Sequence, residues 1–145
     1  ASARYRGFES HFYPGCFVCG PERQQGDGLR VFAGPLEPGD GPQGMVAATW
    51  APGASLTDAS GKVLPRYLWA VLDCPGAYAF AEPATGAILL GELSVNIRGE
   101  VVAGERCVVT GWEIGQDGRK HYTGTALFDE NGACCAVASA TWFEV

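Results

Sequence analysis

Leu64-Pro65-Arg66-Tyr67-Leu68-Trp69-Ala70-Val71-Leu72-Asp73-Cys74-Pro75-Gly76-Ala77-Tyr78-Ala79-Phe80 is the stretch that decides the fold. At about 100° per residue, Leu64, Tyr67, Leu68, Val71 and Leu72 fall on one side of a helix, and no other part of the chain carries a convincing long helical period. Pro65 suits the first turn, where its missing N–H is not needed. Pro75 removes a later helical hydrogen bond and is expected to kink or end the segment, with the pattern resuming briefly through Tyr78 and Phe80. A surface helix carries a dense polar face; this one does not. Between Val63 and Ala81 the only charged residues are Arg66 and Asp73, and Trp69, Ala70, Gly76 and Ala77 fill the remaining sides. Such a helix is expected to be covered twice, by the sheet of its own chain and by a second copy. Asp73 falls almost opposite the apolar cluster, at or near that interface. A buried carboxylate without partners is costly, so it needs donors, a raised pKa or a wet cleft. Asp73 therefore ranks first among candidate functional residues; a structural pairing with Arg66 or with another subunit's donor is the alternative.

Outward from the helix the periodicity is that of strands. Residues 29–32 (Leu-Arg-Val-Phe) and 45–50 (Met-Val-Ala-Ala-Thr-Trp) read as short strands, joined by a loop rich in turn formers at 33–44 and followed by another at 51–62. After the helix, residues 87–98 place Leu93, Val95 and Ile97 on one face and Ser94, Asn96 and Arg98 on the other. Residues 105–114 form the next strand. Asp117-Gly118 and Asn131-Gly132 are hairpin signals, and the three strands they bracket are expected to pair antiparallel through two-residue connections. The expected order is strand, strand, helix and a four-stranded meander: an α+β domain whose antiparallel sheet wraps one long central helix. Residues 1–28 read as an irregular N-terminal arm and 29–145 as a single domain, with no internal repeat and no second domain boundary.

The 145 residues suffice for one core without staples. Charged residues make up only 18% of the chain, too few to cover a monomer's surface comfortably, which favours a homodimer or a dimer of dimers. The net charge of −6 disfavours nucleic-acid backbones and anionic membrane surfaces as partners. No apolar run reaches the length of a membrane span, and no secretory core is evident, so the expected location is the cytoplasm with reduced thiols. The six cysteines are then not a disulfide framework.

Several segments in order carry a resemblance: Val71-Leu72-Asp73-Cys74-Pro75-Gly76-Ala77-Tyr78-Ala79, then Gly91-Glu92-Leu93-Ser94-Val95-Asn96-Ile97-Arg98, then Val102-Ala103-Gly104-Glu105, then Gly118-Arg119-Lys120 and residues 126–132. From about Leu29 to the C-terminus they resemble the hot-dog-fold thioesterase superfamily, nearest its PaaI-like branch. The resemblance implies a curled sheet around a long helix, side-by-side dimerisation, and an active site at the dimer interface. There the helix carboxylate, Asp73 by position, acts on an acyl-thioester such as acyl-CoA, as general base on water or as nucleophile. In similar thioesterases His-Gly-Gly precedes the helix; this chain has Leu64-Pro65-Arg66, and Pro65 has no N–H to offer a developing oxyanion. The backbone N–H of Arg66 or Tyr67, or the Arg66 guanidinium, is then the expected substitute. Equally, the site would bind an acyl or aromatic ligand without hydrolysing it. The catalytic set is thus Asp73, Arg66 and Tyr67.

Trp69, Asn96, Arg98, Arg119 and Lys120 are the substrate-binding candidates: Asn96 as a donor to a carbonyl, the basic trio as contacts for coenzyme A phosphates or simply as solvated hairpin charges. Cys16-Phe17-Val18-Cys19-Gly20 looks like half a zinc knuckle, but structural zinc takes four ligands. The remaining candidates, His11, Cys74, Cys107, Cys134, Cys135 and His121, are scattered in sequence. A structural-zinc site from His11, Cys16 and Cys19 plus a distant residue is the weaker alternative; the reading assigns no metal and no cofactor, and treats the pair as apolar anchors of the arm. Gly20-Pro21 argues against a redox CxxC, which opens a helix. His121 reads as a hairpin residue rather than a base. Gly26-Asp27-Gly28 is a turn, since no helix follows it to cradle phosphate.

Overall fold

Antiparallel pairing organises most of the chain. In this computed structural model, which describes residues 1–80, 82 and 86–145, one sheet has six strands. They are β1 (Gly34–Pro35), β2 (Val46–Trp50), β3 (Ile88–Ile97), β4 (Cys107–Asp117), β5 (Lys120–Phe128) and β6 (Cys134–Glu144). Their spatial order is β1-β2-β4-β5-β6-β3, antiparallel throughout. The sheet is open, with β1 and β3 at its edges. No helix among the described residues is long and apolar enough to cross a membrane.

The helical segment lies between β2 and β3 in sequence and packs on the sheet. It divides into α1 (Pro65–Val71) and α2 (Cys74–Ala77) rather than running as one long helix. Pro75 accounts for the break: it cannot donate to the i−4 carbonyl, and its ring clashes there. Leu68, Val71 and Leu72 are buried as the periodicity predicts, each worth roughly 1.5–3 kcal/mol of apolar burial. β5 anchors the break from below, because Thr125 Oγ1 donates to the Leu72 carbonyl at 2.8 Å. Glycine sets how closely α2 settles. A Cβ on Gly111 of β4 would lie 2.6 Å from the Pro75 carbonyl oxygen, so only glycine admits the helix backbone there.

Four expectations are corrected. Residues 29–32 belong to no strand: Leu29 N–H donates to the Phe17 carbonyl and Val31 N–H to the Val18 carbonyl, both at 2.8 Å. Their hydrogen bonds therefore go to the arm, with Arg30 in the left-handed region at φ +55°. The last four strands are not a simple meander, since β2 occupies the outer side of β4 and β3 pairs instead with β6, Leu93 opposite Ala140. The first hairpin turns on Gly118 and Arg119, one residue later than read, because Asp117 pairs with Lys120. The second is longer than two residues; Asp129 Oδ1 accepts from the N–H groups of Asn131 and Ala133 and closes a loop between β5 and β6.

Candidate functional site

The break between α1 and α2 places Asp73 where its carboxylate has no local use. Asp73 is the residue preceding α2, a position where an aspartate ordinarily accepts from the N–H groups two and three residues on. Pro75 has no N–H, and Gly76 N–H donates to the Asp73 carbonyl at 3.1 Å. Its side chain makes no cap hydrogen bond, and no partner for it occurs among the described residues. The carboxylate lines a pocket of about 320 Å³, the size of a small-molecule site. Ile88, Leu89 and Leu90 of β3, Trp142 of β6 and Tyr78 supply apolar wall. Burial first, and then the negative charge of nearby Cys16, raises the Asp73 carboxyl to about 6.

The arm forms the rest of the pocket. His11, Cys16 and Cys19 line it together with Cys74, the first residue of α2. The sulfurs of Cys16, Cys19 and Cys74 all lie within 4.8 Å of one another, with 3.7 Å between Cys16 and Cys74. His11 Nε2 is 3.4 Å from Cys19 Sγ, while its Nδ1 accepts from the Tyr13 N–H at 2.8 Å. Hydrogen bonds from the Cys19 and Cys74 thiols draw Cys16 far below an ordinary thiol. The same contact with Cys16 pushes Cys19 up to about 12 and Cys74 well above its usual value. The sequence reading grouped His11, Cys16 and Cys19 with an unspecified distant residue, but nothing local pointed to Cys74, which sits 58 positions from Cys16.

The other sequence candidates do not gather around Asp73 within one chain. Arg66 is exposed, with its guanidinium over the Tyr67 ring at 5.4 Å from the centroid. Tyr67 lines a separate cavity bounded by Phe17, residues 25–30 and Trp50, and its N–H donates to the Leu64 carbonyl. Trp69 is 41% exposed. Asn96, Arg98, Arg119 and Lys120 are exposed, Lys120 lying over the Phe143 ring. His121 is buried: its Nε2 meets Glu144 Oε1 at 2.7 Å, and its ring stacks on Phe80 at 4.1 Å. Its Nδ1 is buried without a hydrogen-bond partner among the described residues, with Glu113 Oε1 4.0 Å away. His121 does not line the Asp73 pocket.

No family model matches the sequence, and no curated protein matches it. Solved structures do. A thioesterase-superfamily protein of known crystal structure superposes with a TM-score of 0.70 at 23% identity over 89% of this chain. The chain spans 62% of that protein's length. A phenylacetic acid degradation-related protein from Ralstonia eutropha gives 0.66 at 16% identity, covering 80% of this chain and 86% of its own. A hypothetical thioesterase from Streptococcus pneumoniae, solved with coenzyme A, gives 0.61 at 15% identity, covering 70% and 81%. The six-stranded antiparallel sheet carrying a helical segment between its second and third strands is, on these superpositions, the hot-dog fold of thioesterase-superfamily proteins.

Proposed function

We propose that this protein hydrolyses an acyl-thioester, with acyl-CoA as the substrate class and Asp73 as the catalytic carboxylate. The observation that carries the reading is that carboxylate. It sits at a helix break, on the wall of a pocket with a largely apolar lining, without a partner among the described residues. A thioester carbonyl placed against it would be attacked by water that gives its proton to Asp73, releasing the acid and the free thiol. Direct attack by Asp73 would form a mixed anhydride that water then opens, with the same products. The coenzyme A in the Streptococcus pneumoniae neighbour supports the carrier, and Arg98, Arg119 and Lys120 are the exposed cations assigned to its phosphates.

The working unit in this reading is a dimer. β3 is an edge strand with Leu89, Leu90 and Ile97 exposed at 51%, 37% and 40%. A long apolar edge of this kind invites pairing. Leu89 and Leu90 also line the Asp73 pocket, so a second copy on this edge would help to enclose it. Arg66 and Tyr67 do not share that pocket within one chain, so a role for them at the carbonyl would also require the second copy. A binding-only protein is the second reading. It is favoured by one observation, that Pro65 has no N–H and the Tyr67 N–H is already donated to Leu64.

Release of free thiol from a panel of acyl-CoA thioesters tests both readings. Turnover that falls by about 10²–10⁴-fold in Asp73→Asn supports hydrolysis. Saturable binding of acyl-CoA with no turnover supports the second.

A further inference from the structure

We infer that Cys16, Cys19 and Cys74 form a zinc site that clasps the N-terminal arm to α2. Zinc with about 2.3 Å bonds to sulfur in a tetrahedron sets its sulfurs about 3.8 Å apart. The Cys16 and Cys74 sulfurs are 3.7 Å apart, and Cys19 lies within 4.8 Å of both. The three residues come from two segments that meet only through the fold, and no comparable trio occurs elsewhere among the described residues. Tetrahedral sulfur-rich sites select zinc over hard cations such as magnesium or calcium.

The backbone around the pair is shaped for the same purpose. Gly20 N–H closes the turn onto the Cys16 carbonyl at 2.9 Å. A Cβ at Gly20 would collide with the backbone of Pro14 and Cys16, so the glycine that follows the second cysteine is required by the tightness of the turn. The loop is held from outside by Tyr5, whose hydroxyl donates to the Cys19 carbonyl at 2.9 Å, and by Leu29 and Val31, which pair with Phe17 and Val18.

His11 supports the site from its edge. Because Nδ1 accepts from Tyr13 N–H, the proton of the neutral ring is on Nε2, directed at Cys19 Sγ. A hydrogen bond of this kind to a coordinating sulfur steadies the ligand without occupying the metal. With three protein ligands the fourth position would be left to water, so the site would be of the open kind rather than the closed four-ligand kind that the sequence alone fails to supply. The metal would fix Cys74 and thereby the wall that carries the neighbouring Asp73.

Metal content decides this independently of any turnover. Protein purified under reducing conditions, without added metal chelator, is expected to carry about one zinc per chain. Zinc is expected to fall to background in Cys16→Ser, Cys19→Ser and Cys74→Ser and to persist in Cys107→Ser and Cys134→Ser. Metal-stripped wild type given cobalt(II) is expected to develop intense sulfur-to-cobalt charge-transfer absorption. Wild-type protein without zinc and without that absorption would overturn the inference, whatever the variants do. So would zinc retained in Cys74→Ser, or a purified protein in which Cys16 and Cys19 are joined as a disulfide.

Discussion

The β4–β6 sheet and the N-terminal arm are built by opposite strategies. From Cys107 to Glu144 each strand pairs with the next through a tight connection, so the structure is made of local contacts repeated. From Tyr5 to Ala33 there is no strand, yet Tyr5, Cys19, Leu29 and Val31 are as buried as the sheet. Besides contacts within itself, the arm draws on contacts distant in sequence: Tyr5 on Tyr78 with ring centroids 4.6 Å apart, Arg6 on the Phe80 carbonyl, Cys16 on Cys74. The strands satisfy their hydrogen bonds on one another, whereas the arm also rests on the helical segment. The candidate chemistry lies on the seam between them, where α2 meets the arm.

Substitutions can break this comparison at different strengths. Leu72 is fully buried where α1 ends, so Leu72→Ala should lower unfolding free energy by about 2–5 kcal/mol in denaturant titration and loosen sheet and arm together. Gly111→Ala acts on one contact, forcing the Pro75 backbone off β4. It should cost about 1–3 kcal/mol and reduce thioester turnover by displacing Asp73, with the sheet's circular dichroism retained. Tyr5→Phe removes a single hydrogen bond to the Cys19 carbonyl and should cost about 1 kcal/mol. Its effect should be confined to the arm, seen as faster limited proteolysis before residue 34 and an unchanged core fragment. Equal acceleration of cleavage in β4–β6 would show that the two regions are one cooperative unit.

The same division explains what the sequence made legible. The helix face, the hairpin signals and the strand at 87–98 are local patterns, and each reappears in the structure within a few residues. Pairing of β3 with β6 is not local: it follows from β2 taking the outer side of β4, a competition that no window of sequence contains. Residues 29–32 alternate like a strand because Leu29 and Val31 are buried and Arg30 and Phe32 only partly so, and periodicity cannot tell that their hydrogen bonds go to Phe17 and Val18. At the site, Asp73 was legible because a lone carboxylate in an apolar helix stands out. Its neighbours were not, since Cys16 and Cys19 reach the pocket from the arm and Trp142 from β6, segments far apart in the chain. Arg66 and Tyr67, adjacent to it in the helical reading, face elsewhere in a single chain.

Asp73 is the centre of the functional account, and isosteric replacement tests it most directly. Wild type and Asp73→Asn would be compared for free-thiol release across acyl-CoA chain lengths, with oligomeric state measured for both by light scattering. The account predicts turnover by the wild type, a fall of about 10²–10⁴-fold in the variant, and the same oligomer in each. Equal turnover in the two proteins, or none in the wild type on any chain length, would contradict it.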